Sequence, residues 1–364
     1  MNVIALPDSH LTLGYLCPHN PYDRNAFSGT SYLAAAALAR QPGVTVRILG
    51  SHRPRRFMDR LMARPSPNMT EADLDLDGLD AVVGVVATPL LAGLQKMRPD
   101  LPTYHVTDAT PVFLREAYGW AVPRTAHALE RQVASAATAV IYSSTEMAAR
   151  APSDLGLPDL VPQAQPFGVN FEELPTDCPV KPSLSRLKLL FVGLDWERKG
   201  GDIAVATLDR LRDQGIDAEL TIVGRCPERH RSHPAIRAVG FLSKNRASDR
   251  RKLVHLYSTS HILLVPSRAD CSPMVIAEAM AFGTPVLATD TGGIASVIGA
   301  GRLMAPYASP GQWAAEVRSI VTDPDHYAFL SDSCFERRMA EISWDTWARE
   351  IVALREPRGR AQAA

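Results

Sequence analysis

Short apolar runs alternate with longer stretches of helical spacing along most of the chain. Runs rich in Val, Ile and Leu predict strands buried on both faces, and Ala/Leu-rich stretches between them predict helices. The predicted strands are Asn2–Leu6, Val44–Leu49, Ala81–Val86, Pro102–His105, Ala139–Tyr142, Lys188–Val192, Glu219–Val223, Ile262–Val265 and Val286–Ala288. The predicted helices are Ser31–Arg40, Leu90–Met97, Ala126–Ala137, Asp202–Gln214, Ala247–Tyr257 and Met274–Phe282. This alternation predicts two doubly wound α/β domains with parallel sheets.

A proline-rich stretch separates the two halves. Residues 170–187 contain three prolines and few periodic apolar positions, which is typical of a linker; a surface loop within one large domain is the alternative. The predicted segments are a first domain over 1–170, a linker over 171–187, a second domain over 188–340, and a C-terminal helix and tail over 341–364. In that last segment Ser343 is a candidate N-cap. The apolar residues on one face of the helix are Trp344, Trp347, Ile351 and Leu354.

Composition and charge exclude several classes of protein. The 364 residues include 39 Lys+Arg and 39 Asp+Glu, and this balance argues against electrostatic binding of nucleic acid. Hydrophobic residues make up 46% and charged residues 21%, which excludes general disorder. The longest apolar stretch, Ala81–Leu94, has 14 residues, whereas a membrane-spanning helix needs about 20. The N-terminus lacks the pattern of a signal peptide, so we expect none.

The cysteine pattern adds a second exclusion. The chain has five cysteines without Cys-x-x-Cys or paired Cys/His spacing, which argues against a structural zinc site and against a disulfide scaffold. A reducing cytoplasm fits this pattern best.

The stretch over residues 263–293 carries the most specific chemistry. A buried strand is followed by a polar loop and then by a helix that begins at Met274. Ligands of open α/β sheets bind at the carboxyl ends of the strands, where this loop lies. The backbone N–H groups of Met274 and Val275 and the helix dipole favour a phosphate. Asp270 and Glu278 flank that position and can accept bonds from hydroxyl groups, so the stretch predicts a sugar-phosphate site.

This segment resembles the signature of the family 4 glycosyltransferases, which have the GT-B fold. There an acid, a Gly-rich turn and a second acid eight positions later precede an Ala-Met-Ala-x-Gly-x-Pro-Val run; Asp270 and Glu278 match the acids, and the run ends at Val286. The resemblance implies that Asp270 contacts the donor sugar and Glu278 the ribose. A strand–loop–helix unit with two solvated acids is the alternative. The turn departs from the family, with Cys-Ser-Pro over residues 271–273 instead of Gly-aromatic-Gly. Phosphate contact is then assigned to Ser272, Met274 and Val275.

A second block, residues 189–201, has the same form. Its sequence LLFVGLDWERKGG reads as a buried strand that runs into a turn with Arg198 and Lys199 at a helix entrance. These cations can neutralise a diphosphate. The Lys ammonium acts as a compact point charge, and the planar Arg guanidinium can donate two parallel hydrogen bonds. In the resembling family a Gly-Arg-Leu … Lys-Gly turn does this for the leaving group. Lys199 matches its lysine, Leu194 stands where its arginine does, and Arg198 is the expected substitute. A solvated Arg-Lys pair is the alternative.

Two turns receive roles from the same resemblance. The backbone around Phe241 and Leu242 would hold the nucleobase. The turn Ser28-Gly29-Thr30 precedes an Ala-rich helix and would face the donor phosphate or the acceptor, with an ordinary helix cap as the alternative. The turn lacks the G-x-G-x-x-G spacing of a dinucleotide site, which argues against an NAD enzyme.

Two polar residues near the fourth predicted strand are further candidates. By the resemblance, His105 or Asp108 would contact the donor sugar or the acceptor. The alternatives are a structural His105 and an Asp108 that caps the helix predicted at Pro111.

Two segments carry motifs that we interpret as surface features. The run Asp73-Leu-Asp-Leu-Asp77 contains the Asp-x-Asp pattern of metal-binding GT-A enzymes, but it has no partner motif and reads as a solvated loop. Residues 51–64 carry five arginines with apolar residues between them. They predict a solvated cationic face, with contact to an anionic membrane or acceptor as the alternative.

These patterns, with the resemblance, imply a GT-B enzyme with two Rossmann-like domains facing each other across a cleft and a C-terminal helix that crosses back to the first domain. It would transfer a hexose with retention from a nucleotide diphosphate sugar, UDP- or GDP-linked, to an acceptor hydroxyl on a glycan, a lipid-linked or a small molecule. The donor would bind mainly the second domain and the acceptor the first, without metal or bound cofactor, in the cytoplasm or at the inner face of the membrane. The alternatives are a sugar-nucleotide epimerase and a catalytically silent nucleotide-sugar-binding subunit.

Overall fold

The structure is a computed structural model that describes residues 10–50, 74–299 and 301–354. Contacts within the chain divide it into two compact units. The first unit comprises the chain up to Glu116, Trp120–Gln165 and the chain from Trp344 onward. The second unit comprises Ala117–Gly119 and Pro166–Ser343.

The first unit contains one parallel sheet of six strands. The strands are β1 (Leu11–Leu16), β2 (Val44–Ile48), β3 (Ala81–Val85), β4 (Thr103–Thr107), β5 (Ala139–Tyr142) and β6 (Gln163–Ala164), in the order β2-β1-β3-β4-β5-β6. The helices are α1 (Thr30–Ala39), α2 (Thr88–Met97), α3 (Pro111–Ala117), α4 (Arg124–Ala136) and α5 (Thr145–Leu155). The chain order reverses between β1 and β3, which makes the end of β1 the topological switch point of this sheet.

The second unit contains another parallel sheet of six strands. The strands are β7 (Leu187–Gly193), β8 (Ala218–Gly224), β9 (Ile236–Gly240), β10 (Ile262–Val265), β11 (Val286–Thr289) and β12 (Arg302–Met304), in the order β12-β11-β10-β7-β8-β9. The helices are α6 (Gly201–Asp213), α7 (Glu228–Arg231), α8 (Ala247–Thr259), α9 (Met274–Met280), α10 (Ile294–Ile298), α11 (Pro310–Val321) and α12 (Pro324–Ala340). The two sheets confirm the predicted pair of doubly wound α/β folds.

The last helix, α13 (Trp344–Ala353), follows the second unit in sequence but packs against α1 in the first. Three of the four residues predicted to share its apolar face, Trp344, Trp347 and Ile351, are buried, whereas Leu354 lies just beyond the helix and is half-buried. At its start the Asp345 carboxylate accepts from the Arg40 guanidinium at 2.7 Å. The predicted return of this helix to the first domain is confirmed.

The central strands of the second unit are apolar on both faces because each face packs against a separate cluster of side chains. Leu190 and Leu263 belong to the cluster on one face, together with residues of α9. Leu189 and Leu264 belong to the cluster on the other, together with residues of α6 and α11. Burial on both faces is what a parallel sheet covered by helices requires.

The sequence interpretation missed the first strand of the described chain. The predicted strand Asn2–Leu6 lies outside the described residues, and the structure places β1 at Leu11–Leu16, a segment that is not among the predicted strands. The glycine in its middle explains the weak signal, since Gly14 has no side chain to register as apolar. A Cβ at Gly14 would lie 2.7 Å from a terminal methyl group of Leu49, so that side chain would have to shift to admit a larger residue.

Three of the four edge strands, β6, β9 and β12, were also not predicted, whereas the fourth, β2, was. They have two, five and three residues, and most of their side chains are half-buried or exposed. These short strands lack the continuous apolar run from which most of the other strands were identified.

Lys181, in the segment that leads into β7, joins the ends of two helical segments. Its ammonium donates to the carbonyls of Tyr257 (3.0 Å), Ser258 (3.1 Å) and Phe282 (2.8 Å), in the last turn of α8 and just beyond α9. Helix C-termini attract a cation. Burial opposes this charge and lowers the pKa of Lys181 from 10.5 to about 7.

The pH dependence of stability should report this buried amine. Unfolded lysine has a pKa of about 10.4, so above pH 7 the unfolded state holds a proton that folded Lys181 has released. The free energy of unfolding therefore gains up to about 1.4 kcal/mol per pH unit from this group as the pH rises from 7 to 9. Urea unfolding of wild type and Lys181→Met should show the steeper rise in wild type. Parallel curves would contradict the shift.

Candidate functional site

The candidate site lies where the strand order of the second sheet reverses. Chain order runs outward from β7 through β8 to β9 on one side, and from β10 through β11 to β12 on the other. The loops that follow β7 and β10 therefore leave neighbouring strands in opposite directions and open a crevice at the carboxyl edge of the sheet. Both blocks that the sequence interpretation singled out lie in these two loops.

Backbone contacts hold the two loops together. The N–H of Arg268 donates to the carbonyl of Arg198 at 2.7 Å. Gly200 has φ +72°, and a Cβ there would lie 2.0 Å from the carbonyl oxygen of Pro266. The Arg268 guanidinium also holds the carboxylate of Asp202, at the start of α6, through two bonds of 2.7 and 3.0 Å. The loop after β7 is thereby positioned against the loop after β10.

Lys199 and Asp270, the predicted leaving-group cation and sugar-contacting acid, form an ion pair in the structure. The Lys199 ammonium donates to Oδ2 of Asp270, and the Ser267 hydroxyl donates to the same oxygen at 3.2 Å. Their side chains are 17% and 6% exposed. The structure therefore brings these two predicted residues together at the edge of the crevice.

Arg198 is engaged by groups that the sequence interpretation did not consider. Its guanidinium donates to the Asp195 carboxylate and to the Ala269 carbonyl, both at 3.0 Å. Its carbon lies 4.7 Å from the centre of the Tyr118 ring. The Tyr118 hydroxyl accepts from the backbone N–H of Cys271 at 3.0 Å. Burial, with the nearby charge of Asp270, raises the pKa of Tyr118, so this phenol is neutral at physiological pH.

The loop after β10 leads directly into α9. Cys271 is buried, Ser272 is half-buried, and Met274 and Val275 in the first turn are half-buried. No side chain caps the helix at Pro273. The backbone carbonyl of Asp270 accepts from the N–H of Gly293 at 3.0 Å, and this bond holds the loop in place. The role of this segment in binding phosphate stays a prediction.

Glu278, the predicted ribose-binding acid, lies one turn into α9 and is almost fully buried. Its carboxylate accepts from the Lys244 ammonium and, at 2.8 Å, from the hydroxyl of Tyr257. Lys244 also lies over the ring of Phe171, at 5.4 Å from its centre. The sequence interpretation missed Lys244, although a lysine two residues beyond Leu242 was a visible signal.

The turn assigned to the nucleobase leaves β9 at the edge of the same sheet. Phe241 is 58% exposed, whereas the side chain of Leu242 is buried in the core. Lys244 follows in the same turn, so its bond to Glu278 ties the predicted base-binding turn to the predicted ribose-binding acid.

Removal of Lys244 should destabilise the second unit by leaving an unpaired buried carboxylate. We expect Lys244→Met to lower the free energy of unfolding by about 3 kcal/mol. The double variant Lys244→Met/Glu278→Gln should recover most of that loss, because the neutral amide still accepts from Tyr257. Denaturant unfolding measures both. Equal stabilities of the single and double variants would contradict a charge effect.

The turn Ser28-Gly29-Thr30 follows β1, at the switch point of the first sheet. Ser28 is exposed and has φ 59°, and Gly29, with φ 99°, is the N-cap of α1. Thr30 begins α1 and is buried. The turn thus lies where ligands of such sheets bind, and its contact with donor or acceptor stays a prediction.

His105 is placed differently from the sequence interpretation. The strand predicted to end at His105 continues to Thr107, so this residue lies in the middle of β4 and is fully buried. Its Nε2 lies 2.7 Å from Oε1 of Glu130 in α4, and the Thr88 hydroxyl donates to the other carboxylate oxygen at 2.6 Å. Burial raises the pKa of Glu130, but His105 and Thr88 lower it more, so the net shift is downward. These contacts favour the structural alternative for His105.

Asp108 lies half-buried in the loop after β4. The helix cap offered as its alternative role is supplied by Thr110 instead, whose hydroxyl accepts from the N–H of Phe113 at 3.1 Å. The proposed contact of Asp108 with sugar or acceptor stays a prediction.

The Asp-x-Asp segment lies partly within the described chain. Asp75 and Asp77 are exposed in the loop before β3, and Asp75 lies 3.4 Å from the guanidinium of Arg47. Asp73 and the basic stretch 51–64 lie outside the described residues. Within the described ranges, no cluster of three or more His, Cys, Asp or Glu residues could hold a metal ion. In the same ranges, every helix is too short or too polar to cross a membrane.

Part of the chain that contains this site is similar to a known family. Residues 186–323, which include both loops, match the family model "Glycosyl transferases group 1". The glycogen synthase of Mycobacterium tuberculosis (strain CDC 1551 / Oshkosh) is 30% identical over 194 residues, which cover 50% of this chain and 46% of the relative. The matched part therefore spans less than half of that relative.

Two solved structures share the fold over nearly the whole chain. Sucrose-phosphate synthase from Thermosynechococcus elongatus has a TM-score of 0.67 at 18% identity, covering 95% of this chain and 98% of its own. Anabaena HepE in complex with UDP also has a TM-score of 0.67, at 14% identity, covering 94% and 99%. Residues 186–323 are thus similar to the group 1 glycosyltransferases, and the chain has the GT-B fold.

Proposed function

We propose that this protein transfers a hexose, with retention of configuration, from a nucleotide diphosphate sugar to an acceptor hydroxyl. The observation that carries the proposal is the convergence of Lys199 and Asp270 at the switch point of the second sheet. It lies within the part of the chain that matches the family. The donor then binds the second unit, and we assign acceptor binding to the first.

In this proposal Lys199 stabilises the leaving diphosphate. As the bond between the anomeric carbon and the phosphate oxygen breaks, negative charge grows on that oxygen, and a fixed ammonium nearby lowers the barrier. The backbone at the start of α9 adds the positive end of its helix dipole. These groups supply the charge that a metal ion supplies in other transferases, which supports metal-independent transfer.

Proton balance is met without a dedicated base. The acceptor hydroxyl attacks the anomeric carbon on the face from which the diphosphate leaves, so its proton passes to the departing phosphate oxygen. Asp270 is held by Lys199 and Ser267 and is suited to accept a bond from a sugar hydroxyl. Glu278 is the corresponding acceptor for the ribose.

The nucleotide is proposed to carry uracil or guanine. The likeness to a structure that holds UDP supports uracil. If the backbone at Phe241 and Leu242 binds the base, the side chains there do not select between uracil and guanine. The five cysteines, all free thiols, are in keeping with a cytoplasmic enzyme.

Thermal shift with UDP, GDP and ADP tests donor binding. The matching nucleotide should raise the melting temperature in proportion to its affinity. Incubation with the corresponding nucleotide sugars, with and without an acceptor panel, then tests the reaction. Glycoside formation with retained configuration is the expected result. Epimer formation without acceptor would identify an epimerase, and tight binding without turnover on any acceptor would identify a silent binding subunit.

A further inference from the structure

Each cation of the two site loops already has an anionic partner. Lys199 is paired with Asp270, Arg198 with Asp195, and Arg268 with Asp202. The three pairs are neutral in sum, whereas a nucleoside diphosphate brings several negative charges. Binding of a diphosphate therefore calls for a further cation near the end of β7.

The residue that follows β7 does not supply it. Leu194 stands where the resembling family has an arginine, and its side chain is 60% exposed. An exposed aliphatic side chain at that position offers a diphosphate neither charge nor a hydrogen bond. The charge must come from a neighbouring position.

Arg225 occupies the equivalent position on the next strand. β7 and β8 pair in parallel with Gly193 opposite Gly224, so Leu194 and Arg225 are the next residues in register. The N–H of Arg225 donates to the carbonyl of Gly193 at 2.9 Å. This approach requires glycine, because Gly224 has φ +105° and a Cβ there would lie 2.1 Å from that carbonyl oxygen.

The side chain of Arg225 is exposed and long enough to extend to the end of β7. Arg225 is exposed, and no carboxylate in residues 10–50, 74–299 or 301–354 pairs with it. Neighbouring strands lie about 4.8 Å apart. An arginine side chain is longer than that spacing, so its fork can reach the space above Leu194.

We propose that Arg225 binds the donor diphosphate in place of the cation that Leu194 does not provide. This inference rests on the proposed function and names a residue of the same site. A guanidinium fork can hold two phosphate oxygens at once, which adds orientation to charge. In this proposal the cation that binds the diphosphate follows β8 instead of β7, at the same edge of the sheet.

The test compares phosphate-dependent and phosphate-independent binding. Calorimetric titrations with UDP and with uridine are made on wild type, Arg225→Ala, Leu194→Arg/Arg225→Ala and Arg229→Ala. Arg229 is an exposed arginine in the same connection and is the matched control. We expect Arg225→Ala to weaken UDP by about 10- to 100-fold and to leave uridine unchanged, since a charge-assisted bond is lost. The transplanted arginine at position 194 should restore most of the UDP affinity, and Arg229→Ala should bind as wild type.

Other outcomes separate this inference from the proposed function. Wild-type affinity for UDP in Arg225→Ala, or equal loss of UDP and uridine, would overturn the role of Arg225 while leaving the function intact. GDP and guanosine replace UDP and uridine if GDP gives the larger thermal shift. A wild-type protein that binds none of these nucleotides would overturn the proposed function, and this inference with it.

Discussion

Replacement of Lys199 by alanine is expected to lower turnover by about 10²-fold or more. The loss follows from removal of a fixed charge that acts on the leaving diphosphate in the transition state. Initial rates with saturating nucleotide sugar and acceptor measure the effect. The fall should lie mainly in kcat, because the charge on the bridging oxygen grows only as the bond breaks.

The matched control is Lys252→Ala, which removes an exposed lysine of α8 in the same unit. It should retain wild-type turnover. Because Lys199→Ala also leaves the carboxylate of Asp270 without its cation, the melting temperature of each variant is recorded, and rates are compared only below it. Wild-type turnover in folded Lys199→Ala would contradict the assigned role.

Substitution of Gly200 by alanine should destabilise the second unit by about 5 kcal/mol. The residue has φ +72°, and the new methyl group would lie 2.0 Å from the carbonyl oxygen of Pro266, a backbone atom that cannot rotate away. The left-handed conformation itself costs about 1–2 kcal/mol for a non-glycine residue. The clash adds the larger share, since the loop must separate from the end of β10 to relieve it.

Gly215→Ala separates these two contributions. Gly215 also has a left-handed backbone, φ +81°, but nothing lies within 4 Å of a Cβ built there. Denaturant unfolding should therefore show a loss of about 1–2 kcal/mol for Gly215→Ala. Similar losses in the two variants would contradict the close approach of the two loops.

The fold could be predicted from sequence at most of the strands that are buried on both faces. Continuous apolar runs such as Ile262–Val265 admit few other interpretations in a chain that alternates with helical spacing. The prediction failed at β1, where Gly14 interrupts the run, and at three of the four edge strands, where polar residues such as Arg237 and Arg302 occupy strand positions. Such strands form because they pair by hydrogen bonds with a neighbouring strand. Their own sequence therefore does not predict them.

The candidate site could be predicted as far as it depends on strand order. Lys199 and Asp270 follow strands that parallel sheets of this kind place side by side, so their proximity followed from topology. The partners of Glu278 and Arg198 could not be found in this way. Lys244, Tyr257 and Tyr118 come from three separate segments, and only side-chain packing brings them to those two residues.

His105 shows why the end of a strand matters to such predictions. A shift of two residues in the end of β4 moved this histidine from the expected end of a strand into the middle of a buried strand. Strand ends are poorly marked in sequence when the residues beyond them, here Val106 and Thr107, also suit a strand.

The position of α13 affects the order in which the protein folds during translation. The ribosome synthesises Pro166–Ser343, which form almost all of the second unit, before it synthesises the helix that covers α1. The apolar surface of α1 therefore stays exposed to solvent, or is bound by a chaperone, until the segment that contains Trp347 leaves the ribosome. The unit encoded first is thus expected to be completed last, the reverse of the usual order for multidomain chains.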